Sequence, residues 1–447
     1  MFQAVTATGN CDCHGIGSGL LRRGRVVLLA ILAGRKHRSA MRSHLAALVL
    51  VAACAPAAVN PNVTSTARAG SPAVILISID GFRYDYLQRG VTPTLDSLAR
   101  NGVRAEWMTP SFPSKTFPNH YTIVTGLTPD HHGIVANTMW DDELGRFTLS
   151  LREAVQDARW WGGEPIWVTA VQQGRRAASF FWPGSEAPIK GVWASHWMPY
   201  DDNFPFAARV DSVLAWLDQP AELRPVVATL YYSIVDHAGH TYGPDAPQVD
   251  TALAVVDTML ARLSAGLHRR GLADEVNLIV LSDHGMTPTS RDRLIALDDY
   301  IDMDDVTVVD WTPVGAVDAR PGRLDAVHAA LVDAHPNLKV YRKGELPARY
   351  RFGTHPRVTD LVLIADDGWS ITTRDRFATF RAGGTHGYDA ELPSMRTLFV
   401  ASGPAFRNGQ VVPSFSNIHV YELMTHILSL KPAPNDGSLD SVKVMLK

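Results

Sequence analysis

From about residue 73 onward, hydrophobic and polar positions follow two rhythms that keep replacing one another. Residues 74–79 are a nearly unbroken β-branched apolar run, which predicts a strand buried on both faces of a parallel sheet. A helix should follow. Thr92 is placed as its N-cap and Pro93 as its first residue, Leu95, Leu98 and Ala99 form the apolar stripe, and Gly102 ends it. The alternation then recurs with a strand over 226–234, a helix over 251–270 and a buried strand over 276–281. In that long helix Leu253, Val256, Leu260, Leu263 and Leu267 share one face. A helix around 323–333, strands at 360–364 and 397–401, and a helix over 418–430 complete the pattern. This alternation predicts an α/β fold with a mostly parallel central sheet between helices, forming a single large domain over 72–431 with a tail at 432–447. Ligands belong at the carboxyl ends of such strands.

The region before this body has another character. Residues 41–54 read as a secretory signal: a basic start, a short apolar stretch from Leu45, then small residues ending in Val51-Ala52-Ala53-Cys54. That ending resembles a lipoprotein box, so two outcomes stand open. Either Cys54 becomes a lipid anchor on a periplasmic or outer-membrane lipoprotein, or cleavage near 55–58 releases a soluble exported protein. A full signal beginning at Met41 predicts that Met41 is the true start and that 1–40 is an upstream extension, whose apolar stretch at 26–33 is too short to span a bilayer. Residues 55–71, rich in Ala, Pro, Ser and Thr, read as a flexible linker.

Composition narrows the chemistry. With 46% hydrophobic and 19% charged residues, neither wholesale disorder nor a polytopic membrane protein fits. Lys plus Arg number 42 against 45 Asp plus Glu, so no basic field marks a stable nucleic-acid complex. The 3 cysteines are Cys11, Cys13 and Cys54, whereas histidines number 17. A metal in the body must therefore be held by nitrogen and oxygen, and a disulfide framework or a cysteine nucleophile is excluded there.

The expected strand ends deliver such ligands. The first runs into Asp80-Gly81, the second into Asp236-His237-Ala238-Gly239-His240, and the third into Asp283-His284-Gly285. Another histidine, His386, sits in Gly383-Gly384-Thr385-His386-Gly387, where glycines allow close backbone approach. Asp with His is a donor set that suits zinc. The loop 110–120 supplies a hydroxyl, Thr116, just before a short helix from Tyr121 to Thr125. Taken alone, Thr116 is either a helix cap or a nucleophile placed where backbone N–H groups favour a phosphate.

Several motifs now act together. They are Ile79-Asp80-Gly81-Phe82-Arg83, Phe112-Pro113-Ser114-Lys115-Thr116-Phe117-Pro118-Asn119-His120, the stretches 126–134, 137–141 and 163–167, and the three ligand motifs above. In this order they resemble the nucleotide pyrophosphatase/phosphodiesterase family of the alkaline phosphatase superfamily, over about 72–431, as a bacterial-type member. The resemblance implies an alkaline phosphatase-like catalytic domain with two zinc ions. One would be held by Asp236, His240 and His386, the other by Asp80, Asp283 and His284, with Thr116 as the nucleophile on the second. It further implies that Asn137 donates to a non-bridging phosphoryl oxygen, with the Thr116 N–H, and that Phe117 and Tyr200 sandwich a nucleobase. The expected reaction is hydrolysis of nucleotide phosphodiesters or pyrophosphates to nucleoside 5'-monophosphates through a phosphothreonine intermediate.

Alternatives are a phospholipid or choline head-group phosphodiesterase, a phosphate monoesterase of the superfamily and a non-catalytic surface binding protein. A sulfatase would need Cys or Ser at position 116. Against a monoesterase, the nucleophile loop offers Lys115 but no arginine. His131, His132, His237, His355, His419 and His426 read as structural or surface residues, and Trp160, Trp161 and Trp167 as packing. Asp302, Asp304 and Asp305 read as a solvated turn.

Overall fold

Eight strands form the central sheet of the computed structural model, which describes residues 73–447. The signal, linker and upstream expectations lie outside the described residues. In chain order the strands are β1 (Ala73–Ile79), β2 (Val103–Ala105), β3 (Ala177–Phe180), β4 (His196–Met198), β5 (Val227–Tyr232), β6 (Val276–Leu281), β7 (Phe399–Ser402) and β8 (Gln410–Val412). They lie side by side as β8-β2-β7-β6-β1-β5-β3-β4. Only β7 runs against its neighbours, so the sheet is mixed but mostly parallel, as expected.

Both faces of the sheet are covered, which explains the unbroken apolar runs. Along β1, Val74 and Leu76 join a cluster with Trp160, Trp167 and Met424 on one face; Ile75, Ile77 and Ile79 join Leu253, Leu260 and Val213 on the other. The period of two is the pleat itself. The helices that matter for the site are α1 (Pro93–Asn101), α2 (Thr116–Thr125), α3 (Phe206–Leu217), α4 (Ile234–Tyr242), α5 (Pro247–Arg269) and α6 (Val420–Ile427). Thr92 does not cap α1 with its side chain. Instead Asp257 of α5 accepts the N–H groups of Thr94 and Leu95 at 3.0 and 2.8 Å, a cap supplied by tertiary packing.

The strand expected at 360–364 forms at Leu361–Ala365, but outside the central sheet. It pairs antiparallel with Val314–Ala319 and Leu338–Arg342 in a separate four-stranded sheet whose edge is Val306–Asp310. A run buried on both faces reads alike in either sheet, because pattern does not name the partner. This insert carries the helix Leu324–Leu331 and its own core around Val317, Leu361 and Leu363. Residues 432–447 fold back onto the body, with Val442 and Met445 buried and Arg407 donating its N–H to Met445 at 2.9 Å.

Candidate functional site

Register brings the chemistry to one edge. Ile79 of β1 lies opposite Tyr232 of β5, and Ser78 lies opposite Leu281 of β6, so three adjacent parallel strands end level. The chain leaves them directly into Asp80, into α4 with Asp236 and His240, and into Asp283-His284. Asp236 and His240 are one helical turn apart on α4, with His240 Nε2 3.3 Å from Asp236 Oδ1. His386 arrives directly after the short strand Gly384–Thr385, which pairs with Thr287–Pro288, and its Nε2 is 3.7 Å from the same oxygen. Thus Asp236, His240 and His386 form one group of converging donors, and Asp80, Asp283 and His284 form another.

Both groups fit a divalent cation. Asp80 Oδ1, Asp236 Oδ1 and Asp283 Oδ2 are buried oxygens without a hydrogen-bond partner. Unpaired buried carboxylate oxygens are costly unless a cation meets them. The three histidines are prepared in the same way. His240 Nδ1 lies 2.9 Å from the Gly384 carbonyl, His284 Nδ1 2.9 Å from that of Gly285, and His386 Nδ1 2.9 Å from that of Ser114. A carbonyl only accepts, so each Nδ1 carries a proton and each Nε2 is the nitrogen turned toward the carboxylates, able to ligate a metal as a neutral imidazole once one is bound. Burial, together with the charges of Asp283 and Asp236, pushes the Asp80 carboxyl up to about 6. Despite burial, the charges of Asp283 and Asp80 raise His284 well above its usual range. The site is short of positive charge, and the oxygen-plus-imidazole donor set suits zinc.

Thr116 is the first residue of α2, with Lys115 as N-cap, so its hydroxyl is not used to cap the helix. That oxygen lies 3.2 Å from His284 Nε2, beside the Asp80 group. Asn137 enters from the loop before the strand Thr138–Asp141, and its Oδ1 accepts the Phe117 N–H at 2.9 Å. Because the oxygen faces that donor, the amide NH2 is turned away from it and available to a ligand. The Phe117 ring is partly buried, 5.9 Å from Phe147 and 6.0 Å from Trp161. Tyr200 is half-buried, with its ring 5.2 Å from Phe181, its N–H on Glu186 at 3.1 Å and its hydroxyl on Asp202 at 2.7 Å. Trp160, Trp161 and Trp167 are buried in the core.

Two residues around the candidate ligands were given no role by the sequence: Tyr231, which lies in no motif, and His120, which closes the Phe112–His120 motif. Tyr231, on β5 opposite Ser78, donates its hydroxyl to Asp80 Oδ2 at 2.5 Å, while Oδ1 is the oxygen without a hydrogen-bond partner. His120, one turn after Thr116 on α2, is fully buried; its Nδ1 lies 2.9 Å from the Thr116 carbonyl and 3.3 Å from Asp283 Oδ2. Its Nε2 is 2.8 Å from the Ser78 hydroxyl. His120 was signalled by its place in the nucleophile-loop motif and by its i, i+4 spacing to Thr116, whereas nothing along the chain signalled Tyr231.

Comparison with known proteins identifies the family. Residues 74–389 match the family described as type I phosphodiesterase / nucleotide pyrophosphatase. Venom phosphodiesterase CdcPDE of Crotalus durissus collilineatus is 42% identical over 386 residues, covering 84% of this chain and 46% of the venom protein. The chain thus spans about half the length of that relative. Bis(5'-adenosyl)-triphosphatase of Mus musculus is 39% identical over 386 residues, covering 86% of this chain and 83% of its own. Among solved structures, murine ectonucleotide pyrophosphatase / phosphodiesterase 5, in an inactive threonine-to-alanine form in complex with AMP, superposes with a TM-score of 0.80 at 37% identity, covering 84% of this chain and all of that one. These relatives come from animals and give no support to the bacterial-type expectation.

Proposed function

Because this chain belongs to the type I phosphodiesterase / nucleotide pyrophosphatase family, hydrolases of phosphodiester bonds with the alkaline phosphatase-like fold, we propose that it hydrolyses nucleotide phosphodiester or pyrophosphate bonds and releases nucleoside 5'-monophosphates. The convergence of two Asp/His groups, each with orphaned carboxylate oxygens, beside the Thr116 hydroxyl carries this reading. Asp236, His240 and His386 would hold one zinc ion, and Asp80, Asp283 and His284 the other. When bound, such a pair supplies positive charge that lowers the nucleophile's pKa and stabilises the entering and leaving oxygens of an in-line displacement.

The chain's own residues do the remainder. Thr116 Oγ1 attacks phosphorus, the bond to the leaving alcohol or phosphate breaks, and the nucleoside monophosphoryl group is held as a phosphothreonine. Water then attacks the same phosphorus, breaks its bond to Thr116 and returns the hydroxyl. Two inversions give net retention. The Asn137 NH2 and the Thr116 N–H donate to a non-bridging oxygen, a role that strengthens as charge develops there. Phe117 and Tyr200 offer stacking faces for the base, which favours a nucleotide over a phospholipid head group. The murine relative solved in complex with AMP, in an inactive threonine-to-alanine form, supports a nucleotide substrate and a threonine needed for activity.

Thr116→Ala should abolish turnover of a p-nitrophenyl nucleotide ester while zinc content, read by elemental analysis, stays intact. Activity retained by that variant removes Thr116 as nucleophile. Export directed by residues 41–54 accords with relatives named as venom and ecto-enzymes, and no described helix is long and apolar enough to cross a membrane. Metabolic labelling with a lipid precursor distinguishes an anchor at Cys54 from a released form.

A further inference from the structure

The loop that carries Thr116 contains one cation, Lys115, and the structure does not leave it free. Lys115 is buried, and its Nζ lies 2.6 Å from Asp310 Oδ2. Asp310 ends the edge strand of the inserted sheet, and its other oxygen accepts the Trp311 N–H at 2.9 Å, so the carboxylate is fixed at both ends. The lysine stem reaches it past Gly387, the residue after His386. A Cβ on Gly387 would sit 3.1 Å from Lys115 Cε and 3.0 Å from Pro313 Cδ, and its φ of +116° is one that side chains resist. Nucleophile loop, His386 loop and insert are thus built around the path of this one ammonium group.

We propose that Asp310 is a specificity-determining residue: it neutralises Lys115 and holds it off the phosphoryl group, so that the site favours the singly charged diester over the doubly charged monoester. Lys115 is the immediate neighbour of Thr116 and has a flexible four-carbon stem, so released from Asp310 it can turn toward a phosphoryl group on that threonine. A dianion gains more from such a cation than a monoanion does, because Coulomb attraction scales with charge. Asp310 acts here through Lys115 and touches no substrate.

This inference rests on the phosphodiesterase reading. Its test measures kcat/KM for p-nitrophenyl phosphate, a monoester, and for a p-nitrophenyl nucleotide ester, a diester. The proteins are the zinc-loaded wild type, Asp310→Asn, Lys115→Met and the double variant. Asp310→Asn should raise the monoester-to-diester ratio at least tenfold, and the double variant should return it to within about twofold of wild type. A purely structural role for the pair would lower both activities together and leave the ratio alone. An unchanged ratio in Asp310→Asn overturns the proposal, as does a shift that persists in the double variant. If Asp310→Asn does not fold, Asp310→Ser runs the same comparison, and if neither folds while Lys115→Met does, the pair is structural and the proposal falls. A wild-type protein inactive on both esters refutes the phosphodiesterase reading instead.

Discussion

Tyr231→Phe removes one oxygen and little else. The ring stays in place, 5.2 Å from His120 and 6.1 Å from Tyr200, while Asp80 Oδ2 loses a buried donor at 2.5 Å. Hydrogen bonds to a charged group contribute about 1.5–3 kcal/mol, and no water replaces the phenol without a cavity to hold it. The lost bond no longer orients Oδ1 toward the cation, so that energy appears as weakened metal binding at the Asp80, Asp283 and His284 group. Outer partners of metal ligands typically change affinity by about 10–100-fold, or roughly 1.4–2.7 kcal/mol, which agrees with the hydrogen-bond figure. Titration of the zinc-loaded protein with a chelator of known affinity should therefore show one of two zinc ions leaving about 10–100-fold more readily, with the other unmoved. Excess zinc should restore most of the turnover. If both ions leave as they do from wild type, the phenol does not orient Asp80 and the argument fails.

Phe117→Ala should raise KM for a nucleotide ester about 5–150-fold, from a stacking contribution of about 1–3 kcal/mol, and leave a lysophospholipid substrate unaffected; equal losses on both would point to collapse around Phe147 and Trp161. Exhaustive chelation should abolish turnover and lower the melting temperature, because the buried carboxylates then face one another without a cation. Zinc at about a hundred times its dissociation constant should restore about 2.7 kcal/mol of stability, read by chemical denaturation. His132 is buried against Thr122 and the Pro118 carbonyl, and burial holds its pKa down to about 3 from 6.5. The unfolded chain therefore binds a proton that the folded chain refuses, so the stability His132 contributes is complete above pH 6.5 and is lost as pH falls toward 3. Between pH 7.5 and 5 that loss is about 2 kcal/mol, and His132→Gln should lose that much less than wild type; parallel pH profiles would contradict it.

Much of this protein was legible along the chain because two things are local: the pleat period of a strand and the short reach from a strand end to the next residues. Residues 74–79 and 276–281 could only be buried strands, and the Asp and His residues that follow them could only emerge at a sheet edge. The α/β class and the candidate ligands follow from that much, and the family from the resemblance that the ordered motifs carry. What no local pattern contains is partnership. Leu361–Ala365 has the same apolar run as a central strand but belongs to the insert, and Asp257, far along the chain, caps α1 in place of Thr92. Tyr231 reads as one more strand aromatic until register sets it opposite Ser78 and aims its hydroxyl at Asp80. Lys115 reads as a free charge beside the nucleophile until the insert brings Asp310 against it. The sequence by itself determined which groups are present and which edge they share; the tertiary structure decided which of their charges and lone pairs remain free, since that depends on neighbours brought together across long stretches of chain.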